Sequence, residues 1–316
     1  MSEKIKLGIS TCLLGEKVRY DGGHKYDPFM VQTLGKFVDY VPVCPEVECG
    51  FSIPREAFRL IGDPESPRLV TVRTKKDVTD QMLQWARKRV KQLENDNLSG
   101  FIFKSKSPSS GLFRVKVYNN HGMPLKAGKG IFARVFTDHF PLLPVEEEGR
   151  LHDPKLRENF IERVFVYKRW KDMLLSNADP GKLVAFHTKN KLLMMSHSPE
   201  HYREAGKLTA DVKNYSFDDC LNRYQKLLLE AMALKTTPRK HVNVLQHILG
   251  YFKKDLTSDE KQEMLEIIDI YRKGLVPLIV PITLCNHYVR KYNKSYLRQQ
   301  IYLNPHPLEL QLRNHV

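Results

Sequence analysis

Short apolar runs set among polar loops fill the first part of the chain, and longer periodic stretches fill the rest. Residues 5–10, 37–43 and 100–103 are rich in β-branched and aromatic side chains and predict three strands. Between the last two, residues 77–95 place Met82, Ala86, Val90 and Leu93 on one face. That spacing predicts an amphipathic helix with Asp77 or Thr79 as its N-cap. Strands separated by crossovers predict a parallel sheet with flanking helices, so residues 1–145 read as an α/β, Rossmann-like domain. Residues 141–149, Leu-Leu-Pro-Val-Glu-Glu-Glu-Gly after Pro141, read as a linker. Beyond it, residues 153–176, 199–208, 217–234, 239–254, 258–273 and 279–291 carry helical periodicity. A mostly α-helical second domain over residues 146–316 follows, and two domains suit a chain of 316 residues.

Each strand-like run leads at once into unusual polar sequence. The first is followed by Thr11-Cys12-Leu13-Leu14-Gly15, the second by Cys44-Pro45-Glu46-Val47-Glu48-Cys49-Gly50, and the third by Lys104-Ser105-Lys106-Ser107-Pro108-Ser109-Ser110-Gly111. Ligand sites in parallel α/β sheets lie just beyond the carboxyl ends of the strands. The three loops therefore predict a single site at one end of one sheet.

Composition narrows the setting. The longest apolar run, residues 275–282, is short and broken by Pro277 and Pro281, so no membrane span is expected. The first residues carry no signal-peptide pattern, which predicts a cytoplasmic protein. Lysine and arginine outnumber aspartate and glutamate by 51 to 36, a formal charge of +15, and both halves share the excess. A folded basic chain points to an anionic partner, with nucleic acid ahead of a membrane surface. Five cysteines are an odd number for a disulfide framework, and Cys12, Cys44 and Cys49 crowd into the first 49 residues. Cys220 and Cys285 lie in helical sequence and read as small buried hydrophobes.

Three thiolates without an obvious fourth would leave a metal one open position, as substrate activation requires. Zinc and an iron–sulfur cluster both take thiolates, and the spacing leaves the choice open, as it leaves open cysteines that merely pack. Glu46 can take a proton from a water beside such a site, or simply pair with Arg55 or Arg19. Arg19-Tyr20-Asp21-Gly22-Gly23 reads first as a tight turn, and second as a cation, aromatic and carboxylate set for a base and its phosphate. The serines after Lys104 can offer hydroxyls and N–H groups to an anion or carbonyl. In the second domain, Lys189 and Lys191, Arg239 and Lys240, Lys253 and Lys254, and Arg290 and Lys291 are interleaved with Phe, Tyr and His. That mixture suits phosphate contact with base stacking.

These residues resemble a known family. Residues 10–15 and 18–23, Cys44-Pro45-Glu46 and residues 104–111 look like the TudS-like thiouracil desulfidase domain. The stretch from Pro141 to the C-terminus looks like the YbgA-like helical domain found fused to it. The pair resembles fused desulfidases that convert 4-thiouridine in tRNA to uridine. The resemblance implies a 4Fe-4S cluster on three cysteines, with water attacking the thiocarbonyl carbon and sulfur leaving as sulfide. By motif, Cys12 and Cys44 are implied ligands, Glu46 the acid/base carboxylate and Ser107 a substrate-contacting serine. Arg19, Tyr20, Asp21, Lys104, Ser109 and Ser110 are the remaining expected substrate contacts. In many relatives the third ligand is a cysteine where this chain has Ser110, so Cys49 is expected to supply the third thiolate. If it does not reach, Ser110 ligates weakly or no cluster is held. The rival readings are a zinc-thiolate hydrolase and a non-enzymatic, basic nucleic-acid-binding protein. The helical domain's expected partner is tRNA, with homodimer formation or mere stability as its other uses.

Overall fold

The computed structural model describes residues 4–315 and divides the chain into two units, residues 1–152 and 153–316. The first is α/β and the second almost wholly helical, in agreement with the sequence.

In the first unit, strands β1 (Ile5–Ser10), β2 (Val38–Val43), β5 (Phe101–Phe103) and β8 (Val145–Glu147) form one parallel sheet in the order β2-β1-β5-β8. Ser10 pairs with Val43, so the loops bearing Cys12 and Cys44 leave the sheet side by side. Gly8 is required where it stands, because a Cβ there would lie 2.2 Å from the Phe101 ring. Strands β3 (Phe58–Ile61), β4 (Arg68–Thr71), β6 (Val115–Tyr118) and β7 (Pro124–Gly128) form a second, mixed sheet in the order β4-β3-β6-β7. The sequence pattern did not predict it.

A single-turn helix α1 (Pro45–Glu48) follows β2. Helix α2 (Thr79–Glu94) buries Met82, Ala86, Val90 and Leu93, the predicted face. Its predicted caps are used otherwise. Asp77 accepts the Thr79 N–H at 2.9 Å within a turn, and the Thr79 hydroxyl accepts the Leu69 N–H at 2.8 Å. Helix α3 (Ile131–His139) closes an aromatic core in which Phe101, Phe103, Phe132 and Phe136 are fully buried. Residues 141–149 are no linker. They contain β8, and the proposed boundary at 145/146 falls inside that strand.

The second unit holds α4 (Pro154–Leu175), α5 (Pro180–His197), α6 (Pro199–Ala210), α7 (Phe217–Ala233), α8 (Pro238–Gly250), α9 (Ser258–Arg272) and α10 (Ile279–Lys291). Four of these begin with the same local device. Asp153, Asp179, Ser198 and Thr237 each accept a backbone N–H of the first turn, and each is followed by proline, whose missing N–H costs nothing there. Trp170 stacks on Tyr224 with ring centroids 5.3 Å apart in the core, where Cys220 and Cys285 are fully buried. Among the described residues, no helix is long and apolar enough to cross a membrane.

Candidate active site

The loops after β1, β2 and β5 meet around a cleft of about 430 Å3 at the carboxyl end of the parallel sheet. Cys12, Arg19, Tyr20, Cys44, Glu46, Lys104, Ser107 and Ser110 all line it.

Cys12 sits in the turn Thr11–Leu14, and its carbonyl oxygen accepts the Lys25 N–H at 2.8 Å. Cys44 is the N-cap of α1. Its backbone N–H donates to Glu48 Oε1 at 2.9 Å, and Glu48 Oε2 is held 2.9 Å from Arg89 Nε of α2. Burial pushes the Cys12 thiol up to about 11, with Lys104 opposing. Burial, aided by the Glu46 charge, pushes Cys44 up to about 12. Both are protonated at neutral pH until something cationic takes the proton's place.

Glu46 is the hub of the polar contacts. Its Oε1 accepts the Ser109 hydroxyl, and its Oε2 accepts the Cys44 thiol at 3.6 Å and lies 3.8 Å from an Arg55 terminal nitrogen. Ser109 is fully buried behind the carboxylate, 2.9 Å from the Ser107 hydroxyl, and does not line the cleft. Ser107 Oγ also accepts the N–H groups of Ser109 at 3.3 Å and Ser110 at 3.1 Å. The loop is held from outside by the first turn of α3. Phe132 N–H donates to the Ser109 carbonyl at 2.9 Å, and a Cβ on Gly130 would lie 2.5 Å from that carbonyl group.

Residues 7–148 match 2-thiouracil desulfurase, and residues 191–307 match a protein family of unknown function, DUF1722. YbgA of Escherichia coli is 34% identical over 135 residues, 42% of this chain and 80% of YbgA. YbbK of Bacillus subtilis is 33% identical over 111 residues, 33% of this chain and 71% of YbbK. The chain belongs to the 2-thiouracil desulfurase family, fused to a YbgA-like domain. A solved 4Fe-4S-dependent thiouracil desulfidase, TudS, aligns at 29% identity and a TM-score of 0.40, covering 48% of this chain and 95% of TudS.

Within the desulfurase domain several expectations need correction. Cys49 does not reach the cleft. It ends the single turn of α1 that Cys44 begins, with its Sγ 3.5 Å from the Gln81 carbonyl oxygen and its side chain packed against the core under the second sheet. Three thiols are therefore not assembled, and no group of three or more His, Cys, Asp or Glu side chains able to hold a metal ion occurs among the described residues. Lys104 lines the cleft, but its ammonium is paired with Glu148. Asp21 lies outside the lining and accepts the Gly23 N–H at 3.0 Å, closing the expected tight turn.

Sequence reasoning missed the residues that brace the loops. Glu148 accepts the Ser105 N–H at 2.6 Å and hydroxyl at 2.7 Å, and Glu147 Oε1 accepts the N–H groups of Leu112 at 2.7 Å and Phe113 at 3.0 Å. The signal was the acidic triplet Glu146-Glu147-Glu148 in an otherwise basic chain.

The expected RNA contacts divide. Lys189, Arg239, Lys253, Lys254 and Arg290 are exposed. Lys240 donates to the carbonyl oxygens of His197 at 2.6 Å and Lys235 at 2.9 Å, and so holds the fold. Lys291 pairs with Glu260 at 2.5 Å, and Lys191 lies over the Tyr296 ring, 5.2 Å from its centroid. The polar and aromatic stretch around Lys189 is not wholly turned outward. It lies in α5, where Phe186, His187 and Asn190 are buried.

Proposed function

We propose that this chain hydrolyses the thiocarbonyl of a thiolated uracil carried in tRNA, with 4-thiouridine as the substrate, and releases sulfide. The observation that carries the reading is the convergence of Cys12, Cys44, Glu46 and Ser107 on one cleft beyond the parallel sheet. In this reading a 4Fe-4S cluster would be held by Cys12 and Cys44, with the Ser110 hydroxyl at the third place, one thiolate fewer than the resemblance implies. Two thiols and one hydroxyl fall short of the three or four strong ligands of a zinc site. When bound, such a cluster would supply a Lewis-acidic iron toward the substrate sulfur.

The chain's own groups perform the rest. Glu46 accepts a proton from water as its oxygen attacks the thiocarbonyl carbon. The departing sulfur leaves as hydrogen sulfide, the new carbonyl oxygen comes from water, and no electrons change hands. Ser109 and Arg55 orient Glu46 from behind and beside. Ser107 presents its hydroxyl to the base in the cleft. Arg19 and Lys25 at the cleft wall favour a phosphate-bearing substrate over the free base. The exposed Lys189, Arg239, Lys253, Lys254 and Arg290 support tRNA as the partner of the helical unit.

The test is anaerobic reconstitution with iron and sulfide, followed by incubation with tRNA containing 4-thiouridine. Loss of the thiouridine absorbance with stoichiometric sulfide is expected. A reconstituted, iron-loaded protein that leaves the thiouridine intact would sink the reading. For the RNA part, Lys253→Ala with Lys254→Ala is expected to weaken tRNA binding and flatten its dependence on salt by roughly one to two ions. An unchanged salt slope would remove these residues from the interface.

A further inference from the structure

The helical unit contains a second cavity, of about 180 Å3, between the start of α4, the start of α8 and the segment that follows α9. His241 and Tyr271, exposed by only 4% and 7%, project into it with their rings 6.3 Å apart at 70°.

The hydrogen bonding of His241 fixes what it offers there. Its Nδ1 lies 3.0 Å from the hydroxyl of Tyr302, which is fully buried and has no other hydrogen-bond partner among the described residues. A buried hydroxyl proton without an acceptor is costly, so Tyr302 donates to Nδ1 and the ring hydrogen sits on Nε2. Burial holds the imidazole neutral, pushing its pKa down to about 3. Nε2–H and the Tyr271 hydroxyl have no partner among the described residues, and both side chains line the cavity. The cavity thus holds two donors that the protein itself leaves unanswered.

The remaining walls define the ligand. Pro238, Val276 and Leu278 add apolar surface to the two aromatic rings, which suits a flat ring. At the edge, Lys155 and Lys235 are exposed and form no ion pair within 4 Å among the described residues; both act on the carboxylate of Asp153, which lines the same cavity and accepts the N–H groups of Lys155 and Leu156. Glu158, at the back, is engaged by Arg313 Nε at 3.3 Å and His315 Nε2 at 3.4 Å and so does not repel an anion as a free carboxylate would.

We infer that this cavity binds a single pyrimidine nucleotide, its two base carbonyls accepting from His241 and Tyr271 and its phosphate resting on Lys155 and Lys235. A one-ring base with two carbonyl oxygens answers both donors, and the two lysines outnumber the Asp153 carboxylate beside them, leaving a net positive charge for an anionic group. The site belongs to the YbgA-like domain and stands or falls independently of the desulfidase reading.

Calorimetric titration of the full chain with uridine 5′-monophosphate tests it, with uridine, inorganic phosphate and a short oligouridylate as comparators. The monophosphate is expected to bind at least about tenfold more tightly than uridine or phosphate alone, because each half contributes its own hydrogen bonds or charge. His241→Phe and the surface variant Lys235→Ala are each expected to weaken it about tenfold. Displacement of the monophosphate by oligouridylate assigns the nucleotide to an RNA chain, and failure to displace it assigns a free nucleotide. Absence of monophosphate binding at millimolar concentration overturns the inference. So does binding that survives both variants, or phosphate binding as tightly as the nucleotide.

Discussion

Ser109 donates its hydroxyl to Glu46 Oε1 from a fully buried position, so the serine stands behind the carboxylate and outside the cleft. It therefore aims the base and does not meet the substrate. Glu46→Gln is expected to lower turnover by at least about 100-fold, the scale of a lost general base, with bound iron unchanged. Ser109→Ala is expected to lower kcat by a smaller factor and to leave KM unaltered. A raised KM with normal kcat in Ser109→Ala would return this serine to the substrate-binding set.

The two ends of α1 separate the cysteines by role. Cys44 faces the cleft with Cys12, whereas Cys49 lies beside Gln81 against the core under the second sheet. After anaerobic reconstitution, Cys12→Ala and Cys44→Ala are expected to lose most bound iron and Cys49→Ala to keep it. Ser110→Cys places a third thiol on the cleft wall and is expected to raise iron content and slow its loss in air. Iron that falls with Cys49→Ala, or does not rise with Ser110→Cys, would contradict this assignment.

The legible parts of the sequence were those whose causes are local. The strand runs and the α2 face follow from periodicity, and the single cleft follows from three odd loops at the ends of three parallel strands. Cys49 was misplaced because spacing in sequence cannot show which side of a helical turn a side chain leaves. The second sheet escaped because its strands are short and β7 exposes four of its five residues, including Lys126, giving little apolar pattern to read. Helix α5 escaped for the opposite reason: it is buried around much of its circumference, which blurs the helical stripe. Glu147 and Glu148 looked like linker charge because their partners, Ser105, Leu112 and Phe113, lie more than thirty residues away.

Glu48 gives Cys44 its fixed position. It accepts the Cys44 N–H at 2.9 Å while Arg89 holds its other oxygen. Glu48→Ala strands that N–H and a partly buried guanidinium, and is expected to cost about 1–3 kcal/mol of stability. Glu48→Gln retains an acceptor for the N–H and is expected to cost less. Denaturant unfolding of the apoprotein measures both, and equal stability of Glu48→Ala and wild type would show that Cys44 is held by other means.

Burial depresses several histidines in the helical unit, and furthest His241, already described, and His187, which is pushed down to about 4 by burial with help from Lys191 and whose Nδ1 lies 3.1 Å from the Tyr224 hydroxyl. In the unfolded chain both titrate near 6.5. Above that pH neither state binds a proton, and the stability contributed by the neutral, buried rings is fully present. As pH falls below about 6.5 the unfolded chain takes up protons that the folded rings refuse, so stability is lost down to the folded values. Each histidine accounts for about 1.4 kcal/mol per pH unit in this window. Wild type is therefore expected to lose stability more steeply between roughly pH 6 and pH 4.5 than His187→Asn, by about one proton's worth of slope. Urea titrations followed through the buried Trp170 report this unit, and identical slopes in the two proteins would show that His187 is protonated in the folded state.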